Sequence, residues 1–198
     1  VDSGSAFTGT ANNDTFVGDD NTYTTGDDLD GSGGTDELKV TFAAANNAIV
    51  DLSSIENVFI RNAQGGAETV DAAGWTGVEQ VWSDRASVVA DDLTVSNLNA
   101  LPTIGVIKGS GSVYQVDVDP TAVDLTGTTD MASLALDNAN LGSLGIGDGA
   151  GESVEMLNIS NTGDSIIDAL TDVSAAPGAL LSPSSLTLAG SGSLDLTV

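Results

Sequence analysis

The sequence predicts an all-β chain wound into a parallel β-helix, and three observations carry that expectation. Segments of related pattern recur about every 23 residues, a period within the range of solenoid repeats. Apolar residues alternate with polar ones over short runs bounded by Gly, Asn, Asp and Ser, which is the pattern of half-buried strands. Aromatic residues make up only 4% of the chain, and small and β-branched side chains suit the stacked ladders of a solenoid interior. Many short strands also fit an antiparallel β-sandwich, which stands as the alternative.

Residues 1–42 hold two related loops. In Gly26–Val40, GDDLDGSGGTDELKV, the triplet Asp27-Asp28-Leu29 is followed nine residues later by Asp36-Glu37-Leu38, with Gly31-Ser32-Gly33-Gly34-Thr35 between them. Upstream, Gly9-Thr10-Ala11-Asn12-Asn13-Asp14-Thr15-Phe16 repeats the turn, with Asp14 two residues before Phe16 as Asp36 is two before Leu38. Asn12 stands where a glycine is expected, and Asn also tolerates left-handed backbone angles. A glycine-rich turn ending in Asp, a spacer and an apolar residue is the pattern of a calcium-binding nonapeptide repeat. Glycines let carbonyl oxygens crowd inward, and the Asp carboxylate completes an all-oxygen shell suited to a hard cation. Two nonapeptides make one coil. The 22 residues from Asp14 to Asp36 are then one coil with a short insertion, placed at Asn21–Thr24, so the two loops stack on one side and hold Ca2+ between them. A second site on the opposite side would use Asp19, Asp20, Asp27 or Asp28. The competing reading is a pair of metal-free Gly/Asp turns.

From residue 43 to 198 a looser repeat takes over. Ile55-Glu56-Asn57-Val58-Phe59-Ile60 recurs as Val78-Glu79-Gln80-Val81-Trp82, and Met131-Ala132-Ser133-Leu134 as Val154-Glu155-Met156-Leu157, each 23 residues on. The surroundings of Ile104 and Leu186 fill the remaining places. Between them runs a second theme, Val50-Asp51-Leu52, Val70-Asp71, Val123-Asp124-Leu125 and Ile167-Asp168-Ala169-Leu170, so each unit is two short strands. Ile166–Thr171 could instead form one helical turn. Pro102, Pro120, Pro177 and Pro183 mark loops, because proline cannot donate in a central ladder, and 175–185 is a longer loop.

Composition narrows the function classes. The formal charge is −25, from 29 acidic and 4 basic residues, which argues against binding nucleic acid. With 40% apolar residues the chain is expected to fold rather than stay disordered. Cys and His are absent, so disulfides, thiolate metal sites, zinc–histidine sites and the Ser-His-Asp and Cys-His catalytic constellations are excluded. The basic residues Lys39, Arg61, Arg85 and Lys108 are too scattered for a polysaccharide lyase. No apolar run approaches the ~20 residues of a membrane span. The strand-like alternation at Leu194–Val198 reads as an excerpt of a longer polypeptide, secreted without a signal peptide or trimmed of one.

The two loops at Thr8–Phe16 and Gly31–Leu38 resemble the RTX, or haemolysin-type calcium-binding, family, and the continuation through Ile55–Val58 and Gly74–Val78 is similar in style to S-layer and other surface proteins exported by type I secretion. That resemblance implies a protein secreted to the bacterial cell surface that folds on binding Ca2+. It also implies calcium-dependent assembly with other copies of itself, a structural and non-enzymatic role, and contact with cell-surface polysaccharide. By the same resemblance, Asp14 and Asp36 supply carboxylates, while Gly9, Asn12, Gly31, Gly33 and Gly34 supply carbonyl oxygens. Asp27 belongs to the opposite-side site, and the Gly147–Glu152 turn adds Asp148 and Glu152 as a further metal candidate. A glycan- or receptor-binding adhesin is the alternative function, followed by a β-helix polysaccharide-degrading enzyme. Asp91, Asp92, Asp117 and Asp119 read as solvated, Trp75 and Trp82 as core or coil-capping residues, and Arg61 and Arg85 as partners of Asp84 or Glu79.

Overall fold

Alternating burial turns the apolar runs into strands that stack on their own repeats. The computed structural model describes residues 6–86, 88, 90–109, 111–120, 125, 127–147, 153–172 and 183–197, and within them seventeen strands form. The first coil consists of β1 (Ala6–Thr8) and β2 (Thr15–Asp19), the second of β3 (Asp28–Asp30) and β4 (Glu37–Phe42), and the third of β5 (Asp51–Ser53) and β6 (Asn57–Asn62). The fourth and fifth coils are β7 (Glu68–Asp71) with β8 (Gln80–Asp84), and β9 (Leu93–Ser96) with β10 (Thr103–Ile107). The sixth and seventh are β11 (Gly111–Val118) with β12 (Met131–Asp137), and β13 (Asn140–Ile146) with β14 (Met156–Thr162). The eighth is β15 (Ser165–Asp172) with β16 (Ser185–Ser191), after which β17 (Leu194–Leu196) follows.

Even-numbered strands form one unbroken eight-stranded sheet. Odd-numbered strands form a three-stranded and a six-stranded sheet, joined by bridges from Ile49 to Asp71 and from Leu52 to Trp75. Each pairing among the described residues is parallel, so the fold is a parallel β-helix of about seven turns, and no helix occurs among the described residues. A sandwich would require antiparallel neighbours. The segment Ile166–Thr171, read from sequence as a possible helical turn, lies inside β15 instead. Its inward residues Ile167 and Leu170 are buried on the neighbouring strand β13.

Inside, equivalent positions stack into columns. One runs Phe16, Leu38, Val58, Val81, Ile104, Leu134 and Ile159 along the even strands, and Leu188 continues its register as an exposed residue of β16. Opposite it, Leu29, Leu52, Val95, Val118 and Ile146 close the interior from the odd strands. The coils are unequal. Leu38 pairs with Val58, 20 residues on, whereas Ile104 pairs with Leu134, 30 residues on. The pairing of Asn57 with Gln80 keeps the expected 23. Met131, however, pairs with Met156 rather than Val154, because two extra residues are absorbed at the corner before β14.

The corners repeat as well. Immediately after β8, β10, β12, β14 and β16, one residue adopts a left-handed angle: Arg85 (φ 58), Lys108 (φ 56), Asn138 (φ 49), Gly163 (φ 77) and Gly192 (φ 106). Each of the first four then donates its N–H across to the next coil, Arg85 to the Ile107 carbonyl and Lys108 to that of Asp137, both at 2.9 Å. Two of the chain's four cations therefore occupy a bend that costs an L-residue roughly 1–2 kcal/mol. Buried or half-buried asparagines tie the carbonyls of these corners. Asn62 Nδ2 donates to Gly66 and Asp92 carbonyls, and Asn161 Nδ2 to those of Gly163 and Ser193.

Acidic side chains do similar work. Asp91, read from sequence as solvated, is fully buried and accepts the N–H groups of Gly65 (2.7 Å) and Val88 (2.8 Å). Asp117 and Asp119 are half-buried rather than solvated; burial, reinforced by the nearby Asp92 charge, holds the Asp117 carboxyl above its usual range.

Glu68 is buried and accepts the N–H of Asn46 at 3.1 Å and the Gln64 amide at 2.8 Å. Burial pushes its carboxyl up to about 7 from 4.5, and the Asp20 charge adds to the rise. A raised value means the fold favours the protonated form, so this contribution to stability is complete below pH 4.5 and is lost as pH rises through about 7. Glu68→Gln is expected to flatten the stability profile between those limits and to raise the melting temperature at pH 8. Thermal melts of both proteins from pH 4 to 8 test this, and a constant offset at every pH would contradict it.

Candidate metal centre

The glycine loops stack as the 22-residue offset requires. Gly9 follows β1 and Gly31 follows β3, and the pairing of Thr8 with Asp30 places the two glycines on adjacent coils. Gly33 donates its N–H to the Thr10 carbonyl at 3.2 Å, and Thr35 donates to Asn13 Oδ1 at 3.0 Å. Gly34 lies against the backbone of Asn12 at φ +126°, where a Cβ would sit 2.6 Å from the Asn12 carbonyl carbon. Only glycine fits there.

Asp14 and Asp36 come together, but unsymmetrically. Asp14 Oδ2 accepts the N–H of Thr10 at 2.5 Å and its hydroxyl at 3.0 Å, which folds the carboxylate back into its own loop. Asp36 is wholly buried; its Oδ1 accepts the Asp14 N–H at 2.6 Å, while its Oδ2 is buried with no hydrogen-bond partner. A buried carboxylate oxygen without a donor is costly, so this atom is the anomaly of the corner.

Oxygens converge beside both glycines. A methyl group on Gly9 would lie 2.7 Å from the Gly31 carbonyl oxygen and 2.8 Å from Asp14 Oδ2. One coil on, a methyl group on Gly31 would collide with the Ser54 carbonyl oxygen and lie 2.5 Å from Asp36 Oδ2. The repeated unit is a glycine, the carbonyl of the next coil, and the carboxylate five residues downstream. Ca2+ takes six to eight oxygens at roughly 2.3–2.6 Å; each cradle sets one carbonyl and one carboxylate oxygen beside its glycine, and of these Asp36 Oδ2 has no hydrogen-bond partner. Oxygen donors of this kind suit a hard cation.

The other predicted ligands are placed differently. Asp27 sits at the far end of β3 from Asp36, where its Oδ2 closes a turn by accepting the N–H (2.8 Å) and hydroxyl (3.1 Å) of Thr24, leaving buried Oδ1 without a partner. Asp19 accepts from the Thr22 hydroxyl and the Asn21 N–H, contacts that hold its carboxyl below the usual range. Asp20 accepts the Ala43 N–H at 3.0 Å. These acids are committed to turns, and among the described residues no three acidic side chains gather into a metal-holding group. Asp148 and Glu152 lie outside the described residues.

Two rungs escaped the sequence pattern. Glu56 continues the Asp14–Asp36 stack, accepting the Asp36 N–H at 2.7 Å through Oε2. Its 20-residue offset hid it, and the longer Glu side chain spans the shortened coil. In the sixth coil, Gly127 lies beside Asp130, whose buried Oδ2 again lacks a partner and whose N–H donates to Glu155 at 3.0 Å. The apolar residue expected two places after Asp130 is only Ala132, which masked the motif.

No known protein family, curated protein or solved structure matches this chain.

Gly31→Ala is expected to close the cradle and destabilise the fold by about 1–3 kcal/mol. Gly66→Ala, where an added methyl meets open space, should change stability little. Urea denaturation of the two variants tests this, and equal stabilities would count against a crowded corner at Gly31.

Proposed function

We propose that this chain is a structural, calcium-binding β-solenoid module of a secreted bacterial cell-surface protein, one that assembles with copies of itself into an S-layer, filament or extracellular matrix. The observation that supports this most is the buried, partnerless Asp36 Oδ2 within the stacked glycine corner. Asp14 and Asp36 would hold the ion with carbonyl oxygens of Gly9, Asn12, Gly31, Gly33 and Gly34. When bound, Ca2+ supplies positive charge that links the first two coils and relieves carboxylate repulsion in a chain of charge −25.

A structural role is supported by where the acids go. Asp20, Glu56, Asp91 and Asp92 each turn a carboxylate oxygen onto a backbone N–H group. Assembly is supported by the strand arrangement: a parallel solenoid exposes unpaired strand edges at its ends, a ready template for another copy.

Calcium titration should raise the melting temperature of the wild-type protein, with a chelator reversing the gain. Asp36→Ala should abolish most of that gain, since saturation at 100 times Kd is worth ~2.7 kcal/mol. Far-UV circular dichroism and melting curves that ignore calcium would remove the metal from this reading. Light scattering showing a calcium-loaded monomer at every accessible concentration would remove assembly.

A further inference from the structure

The outer face of the eight-stranded sheet carries an aromatic device that the core does not use. Its central outward column runs Lys39, Phe59, Trp82, Gly105, Ala135, Ser160 and Ala189 through the strand register. Trp82, expected in the core or as a coil cap, lies half-exposed on this face because it points away from its buried neighbours Val81 and Ser83. Its ring is fixed from several sides. Phe59 stacks behind it at 5.9 Å and 15°, and the Lys39 ammonium stands 5.6 Å from the Phe59 ring. Trp82 Nε1 donates to Gln80 Oε1 at 3.0 Å. On the next strand Gly105 leaves room for the ring, since any Cβ there would collide with it.

Beyond Gly105 the column shrinks to Ala135, Ser160 and Ala189. Two shallow troughs of about 290 Å³ each lie side by side there, sharing Ala135 and Ser160. Trp82 walls the first, whose rim carries Asp137 and Thr162. The second is rimmed by Thr103, Ser133, Asn158 and Thr187. Adjacent strands are ~4.8 Å apart, so hydroxyl and amide groups recur along the solenoid axis at a spacing on the order of one sugar ring. Among the described lining residues none is basic, and Asp137 is the one charged group.

We infer that this face binds a neutral polysaccharide, laid along the solenoid axis with one pyranose ring stacked on Trp82. The C–H face of a sugar is apolar and matches an immobilised indole, while its equatorial hydroxyls match the carboxylate, hydroxyl and amide groups of the rims. A polyanionic glycan or nucleic acid would meet a negative chain and no cation in the troughs. The ring is held by Phe59 and Gln80 before any ligand arrives, so little ordering cost remains at binding. The inference does not rest on calcium: the troughs belong to coils four to eight, away from the glycine corner of coils one and two.

Isothermal titration of the calcium-saturated protein with cellohexaose, chitohexaose and laminarihexaose tests it, with polygalacturonate and oligolysine as charged comparators. Saturable binding to at least one neutral hexasaccharide is expected. Trp82→Ala and Ala135→Arg should each weaken it at least tenfold; Ala135 faces outward, so its variant spares the core. Val17→Arg, on the same sheet face but outside the troughs, should bind as wild type. Absence of saturable binding to all three neutral glycans would overturn the inference. So would unchanged affinity in both trough variants, or binding confined to polygalacturonate or oligolysine.

Discussion

A parallel solenoid must satisfy, at each corner, the backbone N–H groups that point along its axis where no strand continues the ladder. Backbone carbonyls of the next coil meet much of that demand, and carboxylates meet it at a recurring set of corners. Asp36 receives the N–H of Asp14, Glu56 that of Asp36, Glu155 that of Asp130, and Asp164 that of Ser193. Hydrogen bonds to charged acceptors contribute about 1.5–3 kcal/mol when well enclosed, as at buried Asp36, whereas Glu155 and Asp164 are open to solvent screening. Much of the acidity is therefore structural. It is the acceptor set of a fold whose corners offer donors.

The same constraint explains the asparagines and the left-handed bends. Carbonyls that turn inward at a corner need donors, and Asn46, Asn62, Asn99 and Asn161 each deliver a side-chain amide to two of them. The left-handed residue after each of β8, β10, β12 and β14 redirects the chain in one step while its N–H still joins the next coil. Glycine is the natural occupant. Arg85 and Lys108 hold the position because their long side chains leave freely toward solvent, and Arg85 then pairs with Asp84 at 2.7 Å.

The stacking of Gly9–Asp14 on Gly31–Asp36 was legible in sequence because the motif fixes both the turn and its spacing. Solenoid class was legible too, since strand-length alternation repeated. Register was not legible beyond the fourth coil, because residues added at a corner change the period without changing any strand; Met131 and Met156 show this. Roles of single acids were also hidden. Whether an Asp is solvated, like Asp28, or buried on two N–H groups, like Asp91, depends on which neighbouring coil ends beside it. Trp82 was misassigned because one residue of strand phase separates the interior from the outer face.

The unbroken parallel ladder also sets how the molecule carries load. Its backbone hydrogen bonds lie along the solenoid axis, so each pair of neighbouring coils is joined by several bonds side by side, and successive pairs are joined end to end. Tension along the axis therefore passes in full through every coil boundary and parts the chain first at the one with the shortest pairing. Between the third and fourth coils the odd strands meet only through two isolated bridges, beside four residue pairs of β6 with β8, against seven pairs between β12 and β14 alone. Force applied across the axis instead shears whole ladders at once. A layer built from such units is compliant in one direction and stiff in the other, and the way the coils are laid within it determines which direction meets the stress.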